Sequence, residues 1–261
     1  SSSNDLSYND ISMAGVFKVD FENEIRSSKF RFTASENLTI ESDYRPTEEL
    51  AGDYWSMAPI NDTCVGIMMV DFTGHGVSAA LNTIRFHAFF RELESLWYDP
   101  YALTLELNKR LNDTLQVGTF ATFFYGVLNT QECTLQYVSC GAPPFVKIPE
   151  SLYKDIELHL TTGTPLGLLK NNQFNLKIYE KKLDWDDTLF LYSDALSETT
   201  HKNGDMWGDD GVFDLLKNIR MTFVNSSPTR EILRNFYRTA CKPLKDDLTL
   251  LSIKLNKKEN G

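Results

Sequence analysis

Four aspartates stand out because each lies where an apolar segment, predicted to be a strand, meets a turn. They are Asp53, Asp71, Asp194 and Asp246, with Asp247 as an adjacent alternative to the last. Two carboxylates about 4 Å apart repel each other by roughly 4 kcal/mol at an effective dielectric near 20, so a cluster of four requires bound cations. Oxygen ligands without His or Cys favour Mg²⁺ or Mn²⁺ over Zn²⁺, and two such ions can hold and deprotonate a shared water. This arrangement is typical of phosphate-ester hydrolysis.

Each of these aspartates also has a simpler interpretation when it is considered alone. Asp71 ends an apolar run and precedes a turn with two glycines, so it can cap the following helix instead of binding a cation. Asp53 follows Gly52, and in a hairpin turn its side chain can bond its own backbone. The same placement recurs at Asp194, after another apolar run, and this repetition favours a shared site.

The hydrophobic pattern shows the elements that position these aspartates. Residues 65–70 are an apolar run of strand length, residues 73–76 form a turn with two glycines, and residues 78–97 repeat apolar side chains at spacings of three and four. Further strands are predicted near residue 54 and at residues 38–44, 119–128, 134–139, 145–148, 156–160, 174–179, 188–192 and 245–253, and further helices at residues 101–115, 211–221 and 229–241. Because the helices form pairs and do not alternate with the strands, we predict an α+β fold of packed layers.

Composition limits the classes of function. The chain has 261 residues, 42% of them hydrophobic, and a formal net charge of -10, which disfavours binding to nucleic acid or to an anionic membrane. Its four cysteines are dispersed without a CxxC pair, so neither a zinc site nor a disulfide framework is indicated, and a cytoplasmic location is expected. No apolar run reaches the roughly 20 residues of a membrane span, and the polar start does not resemble a signal peptide.

Seven short motifs follow one another along the chain. They are Ala51-Gly-Asp53, Asp71-Phe-Thr-Gly-His-Gly76 with Ser78-Ala-Ala80, Phe120-Ala-Thr-Phe-Phe-Tyr-Gly-Val127, Gly141-Ala-Pro-Pro144, Gly163-Thr-Pro-Leu-Gly167, Tyr192-Ser-Asp-Ala195 and Asp246-Asp-Leu-Thr249. In this order they resemble the motifs of bacterial SpoIIE/RsbU-type serine phosphatases, which belong to the metal-dependent PPM phosphatases. The resemblance covers about residues 38–254. It implies an α-β-β-α sandwich of two antiparallel sheets flanked by helix pairs, with a two-metal site at one end.

The resemblance also divides the chain and assigns ligands. Residues 37–256 would be the phosphatase domain, residues 1–36 a linker or extension from an upstream sensor, and residues 257–261 a C-terminal tail. By resemblance, Asp71 bridges two Mn²⁺ or Mg²⁺ ions, Asp53 binds one ion, Asp194 and Asp246 bind the other, and the backbone carbonyl of Phe72 completes a shell. A metal-bridging hydroxide then attacks phosphorus, so Asp71 and Asp53 are the residues assigned to catalysis.

Three further residues, Arg45, Thr73 and His75, are candidates for substrate binding. Arg45 is either a phosphate ligand or an ordinary surface arginine. His75 either transfers a proton or stabilises the turn. The histidine resembles the catalytic acid of the eukaryotic DGHG motif only superficially, because counting from Asp71 places Thr73 at that position.

The sequence departs from the family pattern at three alanines. Ala51 replaces the usual first glycine, Ala142 stands where histidine is common, and Ala195 follows Asp194 where glycine is usual. None of these changes removes a carboxylate, so we predict an active enzyme, although the two lost glycines can shift the ligands.

The resemblance implies a Mn²⁺- or Mg²⁺-dependent protein phosphatase acting on phosphoserine or phosphothreonine of a signalling protein, by analogy an anti-sigma-factor antagonist. The main alternative is a pseudophosphatase that binds its partner without catalysis, and a third is hydrolysis of a small phosphoester. A homodimer is left open. We also hypothesise that the helices at residues 78–97 and 101–115 act as a lever that sets the position of the Phe72 carbonyl.

Overall fold

The computed structural model describes residues 26–32, 35–45, 47 and 52–257. The strands are β1 (Arg26–Phe32), β2 (Ser35–Arg45), β3 (Asp53–Pro59), β4 (Cys64–Phe72), β5 (Ala121–Asn129), β6 (Thr134–Cys140), β7 (Phe145–Ile148), β8 (Glu157–His159), β9 (Tyr179–Lys182), β10 (Thr188–Tyr192) and β11 (Leu248–Leu255). The α-helices are α1 (Gly76–Glu92), α2 (Pro100–Thr114), α3 (Ala195–Glu198), α4 (Gly208–Ile219) and α5 (Pro228–Thr239), and short 3-10 helices span Glu94–Leu96, Asn171–Gln173 and Arg220–Asn225.

The strands form two antiparallel sheets. One sheet has the order β1-β2-β11-β10-β7-β8, and the other has the order β3-β4-β5-β6-β9. Their facing sides enclose one apolar core, and each outer side carries a further core under the helices. The predicted α+β layered fold is therefore confirmed.

Strand β4 shows why its sequence is a continuous apolar run. Alternate side chains of a strand point to opposite faces. Ile67 and Met69 lie in the core between the sheets, whereas Met68, Val70 and Phe72 lie in the core under α1 and α2. A strand covered on both sides needs apolar residues at every position, so its sequence lacks the polar alternation of a surface strand.

The helix pair α1 and α2 covers the outer side of the five-stranded sheet. The Phe86 ring of α1 packs edge-on against Phe72, with ring centroids 5.9 Å apart, and against Phe123 at 5.8 Å. Helix α2 begins with Pro100. The preceding Asp99 caps it, because its Oδ1 accepts hydrogen bonds from the backbone N–H groups of Tyr101 and Ala102, each at 3.0 Å. Helices α4 and α5 cover the other sheet in the same way.

Two segments differ from the strand predictions. Residues 26–32, placed in the N-terminal extension, form β1 and pair with β2. The strand predicted at residues 174–179 begins only at Tyr179, because Phe174 and Leu176 instead pack against the core under α1 and α2. The division of the chain into extension, domain and tail remains a prediction, and residues 1–25 and 258–261 lie outside the described residues. In the described part of the chain, no helix is long and apolar enough to cross a bilayer.

Candidate active site

Asp53 and Asp71 lie directly opposite each other at the end of the β3–β4 ladder. Directly opposed residues of an antiparallel pair point to the same face, with Cβ atoms about 4.5–5.5 Å apart. That face is the one between the sheets, because it also carries Trp55 and Met69. The structure thus brings two predicted ligands together at one end of the sandwich.

The six-stranded sheet brings Asp194 to the same end. The Ser193 hydroxyl accepts a hydrogen bond from the Thr249 N–H at 2.9 Å and donates to the Asp247 carbonyl at 3.2 Å, which fixes the turn after β10 against the start of β11. The Thr249 hydroxyl in turn donates to Asp53 Oδ2 at 2.8 Å. This bond joins the two sheets at the carboxylates. Thr249 was not predicted as a site residue, although its place in the last motif gave a signal.

Asp246 and Asp247 have different environments. Asp247 is buried, and its carboxylate accepts hydrogen bonds from the backbone N–H groups of Thr47 at 2.7 Å and Gly52 at 3.0 Å, and from the Thr47 hydroxyl at 3.0 Å. Asp246 is exposed, and its Oδ1 accepts the Asp247 N–H at 2.9 Å. Asp247 therefore anchors the segment that leads into Asp53. The choice of Asp246 as the ligand remains a prediction.

The carboxyl groups interact strongly. Burial raises the pKa of Asp53 to about 8 and that of Asp194 to about 6, and neighbouring negative charges add to burial in both cases. Burial, followed by the charge of Asp53, holds the pKa of Asp71 well above its usual range. The pKa of Asp246 is also raised, first because its carboxyl group is partly shielded from water, and Glu198 contributes to the shifts of Asp194 and Asp246. A bound cation would reverse this balance by favouring the charged carboxylates.

The donor set fits a hard divalent cation. Asp53 Oδ1 and Asp194 Oδ1 are buried without a hydrogen-bond partner among the described residues, and buried carboxylate oxygens require a donor or a cation. No three His, Cys, Asp or Glu side chains in the described ranges already stand at metal-coordinating spacing. The side chains of Asp53, Asp71 and Asp194 nevertheless interact at hydrogen-bonding range, so only small rearrangements of the carboxylates are needed to bind an ion.

Gly52 brings the β3 entry close to Phe72. The Phe72 N–H donates to the Gly52 carbonyl at 3.2 Å. A Cβ atom at position 52 would lie 3.2 Å from the Phe72 carbonyl oxygen and 3.3 Å from Ala79 Cβ. The close backbone approach at this glycine thus involves the carbonyl predicted as a metal ligand.

Arg45 is not brought to the carboxylates. Its guanidinium donates to both oxygens of Asp43, at 2.7 Å and 3.0 Å, and the pair lies beside Tyr237 of α5. Strand alternation places this pair on the outer side of the sheet, opposite the face between the sheets. The suggested contact of Arg45 with phosphate would require this ion pair to open.

Thr73 and His75 occupy the turn after β4. The Thr73 hydroxyl donates to the Phe120 carbonyl and accepts from the Phe120 N–H, both at 3.1 Å, so its described role is to close the turn. His75 is exposed, immediately precedes α1 and is near enough to Asp246 to favour the charged carboxylate. His75 therefore lies at the rim of the carboxylate cluster.

The three alanine departures have different surroundings. Ala51 lies outside the described residues. Ala142 borders a cavity of about 20 Å³ together with Asp71, Thr122 and other residues, which is room for about one water. Ala195 is buried and begins α3.

Comparison with known proteins places this site in a family. Residues 61–256, most of the chain, match the family model described as Stage II sporulation protein E (SpoIIE). The chain belongs to this family. The resemblance inferred from the seven motifs is therefore confirmed.

Two curated relatives come from Bacillus subtilis (strain 168). Phosphoserine phosphatase RsbP is 27% identical over 190 residues, covering 70% of this chain and 44% of RsbP. Phosphoserine phosphatase RsbU is 24% identical over 215 residues, covering 80% of this chain and 61% of RsbU. The chain thus spans less than two thirds of each relative. The crystal structure of RsbX in complex with magnesium matches with a TM-score of 0.64 at 16% identity, covering 89% of this chain and 100% of that chain, which supports the shared fold.

Proposed function

We propose that this SpoIIE-family chain is a Mn²⁺- or Mg²⁺-dependent protein phosphatase that hydrolyses phosphoserine or phosphothreonine on a signalling protein. The main supporting observation is the pairing of Asp53 and Asp71, joined to the second sheet by Thr249 and completed by Asp194. Two further observations agree with it. RsbP and RsbU are named phosphoserine phosphatases, and RsbX has been crystallised with magnesium.

Each residue has a defined task in this proposal. Asp53 and Asp71 would hold one ion. Asp71, Asp194 and Asp246 would hold the second, and the Phe72 carbonyl would be a further oxygen ligand. When bound, the two ions supply Lewis acidity and an activated water for attack on phosphorus. Four carboxylates cannot remain charged together without this positive charge.

The names of RsbP and RsbU, both phosphoserine phosphatases, support a phosphoserine substrate. We propose a phosphorylated protein of the anti-sigma-factor-antagonist type as the substrate. Nucleic acid is disfavoured as a partner because the chain carries a net charge of -10.

The test is turnover of a phosphoserine protein and of a small phosphoester by the purified chain, with Mn²⁺ and with chelator. We expect metal-dependent release of phosphate from the protein at a higher kcat/KM than from the small ester. Asp71→Asn should lose this activity, while the exposed carboxylate variant Asp113→Asn should keep it. Binding of the phosphoprotein without turnover at saturating Mn²⁺ would identify a pseudophosphatase instead.

A further inference from the structure

Tyr44 lies beside the carboxylates but has no role in the proposal so far. It stands in β2 directly opposite Thr249 of β11, so the two side chains share a face of the sheet. That face is the one between the sheets, since Thr249 donates to Asp53 and the alternate β2 residues Leu38 and Ile40 lie in the core between the sheets. The Tyr44 phenol is therefore directed toward the end of the sandwich that holds Asp53.

The Tyr44 hydroxyl is buried and has no hydrogen-bond partner in the described part of the chain. Asp53 Oδ1 is also buried without a hydrogen-bond partner among the described residues. A hydrogen-bond donor, the Tyr44 hydroxyl, and an acceptor, Asp53 Oδ1, are therefore both unsatisfied in the same cluster. Burial, then the charges of Asp247, Asp53 and Asp71, raise the pKa of Tyr44 above its usual range, so the hydroxyl lies near these carboxylates. A phenol titrates near pH 10 even without this shift, so Tyr44 is a hydrogen-bond donor at neutral pH. Buried polar groups in folded proteins are rarely left unpaired, which indicates a state in which these groups are satisfied.

We propose that Tyr44 is a positioning residue for the metal site: its hydroxyl donates to Asp53 Oδ1 when cations occupy the site. Asp53 is then held on Oδ2 by Thr249 and on Oδ1 by Tyr44. An ionised carboxylate oxygen has two lone pairs, so Oδ1 can accept this bond and still ligate an ion. The inference rests on the proposed metal dependence and adds a residue that orients one ligand.

The substitution Tyr44→Phe separates this role from simple packing. In the metal-free protein it removes a hydroxyl without a partner, so the thermal midpoint should stay the same or rise slightly. In the metal-loaded protein it removes a bond to a ligand. Outer hydrogen bonds to metal ligands typically change metal affinity by about 10- to 100-fold, and we expect a loss of Mn²⁺ affinity in that range.

The experiment measures Mn²⁺ binding by calorimetry and the chelator-treated thermal midpoint for the whole chain, Tyr44→Phe and Tyr137→Phe. Tyr137 is a matched control because it is buried in the same core, where its ring stacks on Phe124. Weaker Mn²⁺ binding by Tyr44→Phe alone, with an unchanged metal-free midpoint, supports the inference.

Two outcomes overturn the inference. In the first, Tyr44→Phe binds Mn²⁺ with the same affinity as the unsubstituted chain. The other is a loss of affinity accompanied by a lower metal-free midpoint, because that combination indicates a packing role. If the unsubstituted chain binds no Mn²⁺, the proposed function fails as well. If that chain binds Mn²⁺ and hydrolyses phosphoserine while Tyr44→Phe binds equally well, only the role of Tyr44 is refuted.

Discussion

Asp71→Asn should stabilise the metal-free protein although it abolishes activity. Asp71 and Asp53 are opposed residues of one ladder, and charges about 5 Å apart at an effective dielectric near 20 repel by roughly 3 kcal/mol. Asparagine keeps nearly the same volume and removes one of the two charges. Removing this repulsion alone should therefore raise the unfolding free energy by up to about 3 kcal/mol, and the avoided burial of a charged carboxyl group adds to that gain.

The gain should depend on pH in a defined direction. The pKa of Asp71 is raised in the folded protein, whereas an unfolded aspartate titrates near 3.9. Above about pH 4 the folded state therefore keeps a proton that the unfolded state has released, so stability falls as pH rises. This group contributes at most about 1.4 kcal/mol per pH unit, and Asp71→Asn removes its contribution. The advantage of the variant should be small near pH 4 and should grow toward pH 8.

The measurement is urea unfolding in chelator at pH 5, 6.5 and 8 for the unsubstituted chain, Asp71→Asn and the exposed control Asp113→Asn. With Mn²⁺ at about 100 times its Kd, binding should stabilise the unsubstituted chain by about 2.7 kcal/mol and the variant by less. If Asp71→Asn is no more stable than the unsubstituted chain at pH 8 in chelator, the repulsion argument is wrong. If it keeps more than a tenth of the activity at saturating Mn²⁺, the bridging assignment is wrong.

Three further predictions concern the surroundings of this pair. Asp247→Ala should lower the metal-free unfolding free energy by about 1–3 kcal/mol, because the backbone N–H groups of Thr47 and Gly52 lose their acceptor. Asp246→Ala should instead reduce Mn²⁺ affinity and activity. If both variants change urea unfolding and Mn²⁺ calorimetry equally, the assignment of different roles to Asp246 and Asp247 is wrong. Mn²⁺ binding at pH 7 should release protons, because the pKa of Asp53 is raised to about 8, and equal binding heats in buffers of different ionisation enthalpy would contradict this. Phe86→Leu should shift the Mn²⁺ concentration for half-maximal activity several-fold, because the Phe86 ring packs on Phe72. If the variant folds and keeps its metal dependence and turnover, helices α1 and α2 have a packing role only and the lever hypothesis is wrong.

The carboxylate pair and its strands could be predicted from sequence because each aspartate lies where an apolar run meets a turn, Asp53 at the start of β3 and Asp71 near the end of β4. Strand alternation also explains the position of Arg45, since Asp43 and Arg45 share a face and Tyr44 takes the other. The sequence prediction did not apply this rule to β2. Alternation shows that Arg45 and Tyr44 point to opposite faces of β2, but it does not show which of these faces lies between the two sheets. The packing of the sheets and helices decides that.

Other features depend on contacts that sequence pattern does not report. Residues 26–32 mix serine and charge without a clear period, yet they pair with β2 as an edge strand. The anchoring role of Asp247 depends on Thr47 and Gly52, which are about 200 positions away in sequence. Alternation indicates that Asp246 and Asp247 differ, but only the folded chain shows which one receives backbone N–H donors.

The site joins two sheets that otherwise contact each other through apolar side chains. Asp53 and Asp71 belong to the five-stranded sheet, whereas Asp194 and Asp246 flank β10 and β11 of the six-stranded sheet. Without cations, the described links between the sheets at this end include the hydrogen bonds from Thr249 to Asp53 and from the Gly52 N–H to Asp247, opposed by repulsion among the carboxylates. Cations that bind acids from both sheets would replace this repulsion with attraction. Metal binding should therefore tighten the whole end of the sandwich, and residues that orient Asp53 from the second sheet, Thr249 and Tyr44, should control how readily it does so.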